Sequence, residues 1–121
     1  MLNIVVLQGD PQVARELQRS LQTHFTLIVA ARNVTELRDA IPKYRAQAVI
    51  LDVEAASLTE IERLRHDFPG ICLVCTHRLA DEEMWTQTVG AGASDLCQAG
   101  DLPGIVSATV RSTRAAVSAA A

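Results

Sequence analysis

The sequence predicts an α/β domain in which five parallel strands form one doubly wound sheet with helices on both faces. Three observations carry this expectation. Short continuous apolar runs alternate five times with stretches of helical periodicity. The helical stretches open on recognisable caps. The 121 residues suffice for one domain, 1–121, and are too few for two. Each right-handed crossover returns the chain to the same sheet, and the expected strand order is 2-1-3-4-5.

Leu2–Leu7 is a continuous run rich in Ile and Val, suited to a strand covered on both faces. Asp10-Pro11 then starts a helix, with Asp as cap and Pro at the first helical position. Val13, Leu17 and Leu21 follow as one apolar stripe. The second run, Thr26–Ala31, leads into Asn33-Val34-Thr35-Glu36, a capping-box-like entry to a helix carrying Leu37, Ile41 and Tyr44. Pro42 is expected to kink that helix or end it early. The third run, Ala48–Val53, holds one charged residue, Asp52; Ser57-Leu58-Thr59-Glu60 opens the next helix and Pro69-Gly70 breaks it. Run four is Ile71–Cys75, followed by an acidic helix start at Asp81-Glu82-Glu83 and a helix through Met84, Trp85 and Val89. Gly90-Ala91-Gly92-Ala93 ends it, and a short fifth strand is expected around Ser94–Gln98. Asp101 caps the last helix, which carries Ile105, Val106 and Val110; residues 112–121, Ser/Ala-rich, are expected to fray as a helical tail.

Composition narrows the function. The net charge of −3 and the absence of any basic run argue against a nucleic-acid partner. No apolar stretch approaches the ~20 residues that span a bilayer, so no membrane partner is expected. Met1 passes straight into Leu2-Asn3-Ile4 without a basic region or cleavage signal, which places the chain in the cytoplasm by default. Cys72 and Cys75 lie three apart in a strand-like run, so their side chains should point to opposite faces. Together with Cys97 they read as structural thiols, with no disulfide and no zinc site. No phosphate-binding loop, nucleophile elbow or metalloprotease motif is present, and no enzyme activity is expected.

In an open α/β sheet ligands bind at the carboxyl ends of the strands, near the switch in strand order. The positions concerned are Gln8, Gly9 and Asp10 after the first strand, Asp52 at the third, Thr76 and His77 at the fourth, and Ala99 after the fifth. Asp52 is the most informative, because a lone carboxylate in an apolar run is costly to bury and should emerge at the strand end. By pattern alone it is either a functional group or a solvated strand-end residue. His24 and His66 fall near helix ends and read as surface residues, while His77 stands beside the site. Trp85 reads equally as a core residue or as an anchor for a partner.

Four segments, in order and on the right elements, resemble the receiver domains of bacterial two-component response regulators over nearly the whole chain. Ile4-Val5-Val6-Leu7-Gln8-Gly9-Asp10-Pro11 resembles their first strand and acidic loop; Val49-Ile50-Leu51-Asp52-Val53 resembles the phosphoacceptor strand. Val74-Cys75-Thr76-His77 resembles the strand ending in the switch hydroxyl, and Gly90-Ala91-Gly92-Ala93-Ser94-Asp95-Leu96 the approach to the fifth strand. The resemblance implies a flavodoxin-like (CheY-like) fold, Asp52 as phosphoacceptor and Thr76 as switch hydroxyl. It also implies Mg²⁺ held near Asp10 and Asp52, a weak site given that hard cations need an octahedral oxygen shell.

Several positions depart from the family pattern. With Pro11 aligned, Gln8 and Gly9 replace the acidic pair, and the remaining Asp10 also serves as helix cap. The family's lysine position reads Ala99, followed by Gly100, and its aromatic switch position reads Leu96. The Met-Pro loop after Asp52 is missing, and the segment between Asp52 and Pro69 is shortened by about two helical turns. Fewer carboxylates weaken a cation site, and without the lysine phosphoryl charge is left uncompensated. The resemblance therefore points to a degenerate receiver, impaired in phosphorylation, that acts by contact with a signalling protein, a histidine kinase or an effector. The expected surface is the helix-4, strand-5, helix-5 face, with Trp85, Thr88, Leu96, Ile105 and Arg111 as its ingredients and a homodimer as one outcome. Two alternatives stand beside it: a working receiver phosphorylated on Asp52 with Mg²⁺, and a small-ligand-binding flavodoxin-like domain.

Overall fold

The computed structural model describes residues 2–120, the side chains of 119 and 120 excepted. Five strand–helix units follow one another. They are β1 (Asn3–Leu7) and α1 (Pro11–Leu21), β2 (Leu27–Ala31) and α2 (Val34–Lys43), β3 (Ala48–Asp52) and α3 (Leu58–Asp67), β4 (Cys72–His77) and α4 (Glu82–Gly90), and β5 (Asp95–Gln98) and α5 (Leu102–Ala120). All pairings are parallel and the sheet order is β2-β1-β3-β4-β5, as expected.

The period-two alternation of the strands divides the core into two layers. Val5, Leu7, Val49, Leu51, Leu73 and Cys75 face α2, α3 and α4, where Leu37, Ile41, Ile61 and Leu64 complete the packing. Ile4, Val6, Ala48, Ile50, Cys72 and Val74 face α1 and α5, against Leu17, Leu21, Ile105 and Ala108. Strands β1, β3 and β4 are apolar on both faces because both faces are covered. Cys72 and Cys75 do point to opposite layers, and all three cysteines are free.

The caps follow the sequence signals. Asp10, Asn33, Ser57 and Asp81 each accept a hydrogen bond from a backbone N–H of the first helical turn, and Asp101 accepts from Gly104 N. Several boundaries differ from expectation, and β1, β2 and β5 each begin one residue later, at Asn3, Leu27 and Asp95. Strand β3 stops at Asp52, one residue before Val53, and β4 is displaced to Cys72–His77, so Thr76 lies inside it. Pro42 does not terminate α2, which runs one residue further. In the last turn the missing N–H costs one bond, and the chain breaks instead at Arg45, with φ 50°. The stretch from Ser112 belongs to α5, with Thr113 buried and Val117 exposed. Ala121, the end of the predicted tail, lies outside the described residues, as does Met1.

Candidate functional site at the carboxyl edge of the sheet

The parallel register fixes the site before any side chain is considered. Asp52, the last residue of β3, pairs with Thr76 of β4, and the loop after β1 crosses beside them because β1 is the other neighbour of β3. This brings Gln8, Gly9, Asp10, Asp52, Glu54, Arg78, Ala99 and Gly100 around a cleft of about 580 Å³. The cleft lies where an open α/β sheet is expected to bind ligands.

Asp52 is 6 % exposed, and burial of a carboxylate demands hydrogen-bond donors. The backbone supplies them: Gly9 N–H donates to Oδ2 at 3.1 Å and Glu54 N–H to Oδ1 at 2.9 Å. Gly9 can come this close because it lacks a side chain, and a Cβ there would stand 3.0 Å from Asp52 Oδ2. Thr76 is fully buried, and its hydroxyl oxygen accepts a hydrogen bond from Gln8 Nε2 at 3.0 Å. The residue that departs from the acidic pattern on the first loop is thus the one that holds Thr76. Asp10 is exposed, and its Oδ1 accepts from Gln12 N at 2.9 Å, which orients it as the cap of α1.

Two charged residues at the cleft escaped sequence reading. Glu54 Oε1 accepts from Arg78 Nε at 2.7 Å and lies 3.5 Å from His77 Nε2. Arg78 holds the Glu54 carboxyl below its usual range, and Glu54 raises the Arg78 guanidinium in return. The signal was present in the register: Asp52 and Thr76 are partners, so the residues just beyond them emerge side by side. The His77 ring is largely covered; its Nδ1 accepts from Leu79 N at 2.9 Å, which in a neutral ring leaves the proton on Nε2, facing Glu54. Ala99 places no charge on the β5 side, so the cation of this cleft is Arg78, on the β4 side.

The donor set does not fit Mg²⁺. Among the described residues no three His, Cys, Asp or Glu side chains converge as a metal-holding group. Asp10 is turned to its helix cap, Glu54 is tied to Arg78, and Asp52 receives two backbone donors. A hard cation needs several oxygens directed at one point, and the carboxylates lining this cleft are each engaged by other donors.

The predicted interaction face needs correction. Thr88 and Ile105 are fully buried and Leu96 is 7 % exposed, so these three belong to the interior. Trp85, at 48 % exposure, and Arg111 remain outside. Asp95 joins them, accepting from Trp85 Nε1 at 3.3 Å and lying 3.5 Å from Arg111. Trp85 therefore resolves as an exposed side chain rather than a core one. His66 sits exposed beside Asp67 at 3.2 Å, on the last turn of α3.

The chain matches no protein-family model and no curated protein sequence. Solved structures do resemble it. The receiver domain of a two-component response regulator from Bacteroides fragilis superposes with a TM-score of 0.84 at 18 % identity, covering 93 % of this chain and 98 % of that one. A CheY-like response regulator receiver domain protein from Methanospirillum hungatei gives 0.85 at 12 % identity, covering 98 % of each chain. NtrX from Brucella abortus, solved in complex with ADP, gives 0.80 at 15 % identity over 99 % of this chain, which spans 29 % of the length of that one. At such identities the likeness speaks for architecture: the chain has the flavodoxin-like, CheY-like fold of response regulator receiver domains. Among the described residues no helix is long and apolar enough to cross a membrane.

Proposed function

We propose that this chain is a receiver-like signalling module of a two-component system or phosphorelay, impaired in phosphoryl transfer and acting in the cytoplasm by protein–protein contact without substrate turnover. One observation carries the reading: the site's reactive groups are already engaged by the protein itself. Gly9 and Glu54 N–H groups hold both oxygens of Asp52, and Gln8 holds the Thr76 hydroxyl. A phosphoryl group arriving at Asp52 would meet these bonds in place and find no lysine at position 99 to balance its charge. The surface built on Trp85, Asp95 and Arg111, where α4, β5 and α5 meet, is the contact face for a kinase, an effector or a second copy. Tryptophan and arginine are the side chains most enriched in binding hot spots.

Incubation with acetyl phosphate and Mg²⁺, followed by intact mass, tests the reading beside Asp52→Asn. The expected result is no added phosphoryl group on either protein. A gain on the wild type that Asp52→Asn abolishes would overturn the impairment. Sedimentation tests the face: Trp85→Ala and Arg111→Ala should weaken any self-association, and unchanged sedimentation of a self-associating protein would count against it.

A second reading has one observation in its favour. Arg78 lies in the same cleft as Asp52 and supplies a cation that Ala99 cannot. If Asp52 does accept a phosphoryl group, Arg78→Ala should then reduce the yield, with Asp10 as the metal ligand to examine.

A further inference from the structure

A second concave surface lies away from the Asp52 cleft. It is a groove of about 870 Å³ between the carboxyl end of α1 and the exposed side of α5. Its floor is apolar: Leu102, Val106 and Val110 are half-buried and continue the core layer beneath them. Its rim carries His24, Arg111 and Arg114, and none of the described residues lining it is acidic. That composition runs against the chain as a whole, in which 14 acidic residues outnumber 11 lysines and arginines. Arg111 is shared with Asp95 at a long 3.5 Å, and Arg114 has no ion-pair or hydrogen-bond partner among the described residues.

From this juxtaposition we propose that the α1–α5 groove is a binding site for a small amphiphilic anion, an organic acid whose apolar body lies on Leu102, Val106 and Val110 and whose anionic head meets Arg114 and Arg111. The volume falls within the range of small-molecule sites, and such sites pair an apolar lining with a few placed polar groups. A guanidinium is the side chain best suited to a carboxylate or sulfonate head, since its planar donors can bind both oxygens. The inference is independent of whether Asp52 is phosphorylated.

Decanoate, below its micellar concentration, is the probe, read by amide NMR of the whole chain. Saturable shifts confined to α1, the turn at His24 and α5 are expected. Decanol, which lacks the charge, should bind about tenfold more weakly, a loss of about 1.4 kcal/mol. Arg114→Glu, at an exposed position where folding is undisturbed, should weaken decanoate by at least that factor, while Trp85→Ala should leave it unchanged. Absence of saturable shifts, shifts centred on the Asp52 cleft, or equal binding by Arg114→Glu would each overturn the proposal. So would shifts of the same residues with protein concentration alone, which would assign the groove to a second copy of the chain.

Discussion

Asp52, buried, and Arg65, half-buried, stand at opposite ends of the sheet, and neither has an oppositely charged side chain at hydrogen-bond distance among the described residues. Arg65, on α3, donates Nε to Gly92 O at 2.8 Å, one terminal nitrogen to Pro69 O at 2.9 Å and Ile71 O at 2.7 Å, and the other to Ser94 Oγ at 3.3 Å. Partial burial pulls its pKa below the usual arginine value, yet an arginine stays protonated throughout the working range. Its four bonds tie α3 to the segments that enter β4 and β5. Asp52 is held by two bonds and opens on a cleft. The same device, polar groups of the main chain around a charged side chain, makes a staple between segments at one end and a buried carboxylate lining a cleft at the other. The difference lies in how completely the donors and acceptors are used.

Breaking the staple should have the largest effect. Arg65→Ala leaves several carbonyls without their donor and removes the contact with Gly92, so a loss of about 3 kcal/mol is expected in urea unfolding. Gly92→Ala attacks the same place from the other side. Gly92 has φ 122°, and a Cβ would come within 2.8 Å of the Arg65 side chain, so a loss of about 2 kcal/mol should follow. At the open end the effects should be smaller. Gly9→Ala sets a Cβ against Asp52 Oδ2 and should cost about 1 kcal/mol, with the amide resonance of Glu54 displaced.

The smallest change should be a gain. The Thr88 hydroxyl is buried with no hydrogen-bond partner among the described residues, so Thr88→Val should stabilise by up to about 1 kcal/mol. The thiols give a pH test of the closed layers. Burial pushes Cys75 up to about 12 and, with more solvent nearby, Cys97 up to about 11. A folded-state pKa raised above the unfolded value means that the contribution is full below about 9 and is lost as pH rises toward 12. Stability should therefore fall on going from pH 9 to pH 11. Alkylation of the native protein at pH 8 should reach Cys97 well before Cys75.

The fold was readable because each level agreed. Apolar runs bounded by Asp, Asn and Ser caps named five strand–helix units, and burial on both faces explains why β1, β3 and β4 lack alternation. Asp52 and Thr76 were found for the same reason, as polar residues at the ends of apolar strands. The pair formed by Glu54 and Arg78 was not, since loop charges carry no periodic signal and meet only through the register of the paired strands β3 and β4. The interaction face was misread at Thr88, Leu96 and Ile105, which lie on the buried side of the same elements that carry Trp85, Asp95 and Arg111. Arg65 passed unnoticed among scattered arginines. Its four acceptors come from two separate loops, which no local pattern brings together.

The central proposal is that Asp52 and Thr76, engaged by Gly9, Glu54 and Gln8, form a receiver site impaired in phosphoryl transfer. The most direct measurement follows the backbone amides of Gly9 and Glu54 by ¹H–¹⁵N NMR while acetyl phosphate and Mg²⁺ are added. Resonances that stay in place, with those of Thr76 and Trp85 also unmoved, are the predicted result. New positions for Gly9 and Glu54, abolished in Asp52→Asn, would contradict it and establish a working phosphoacceptor.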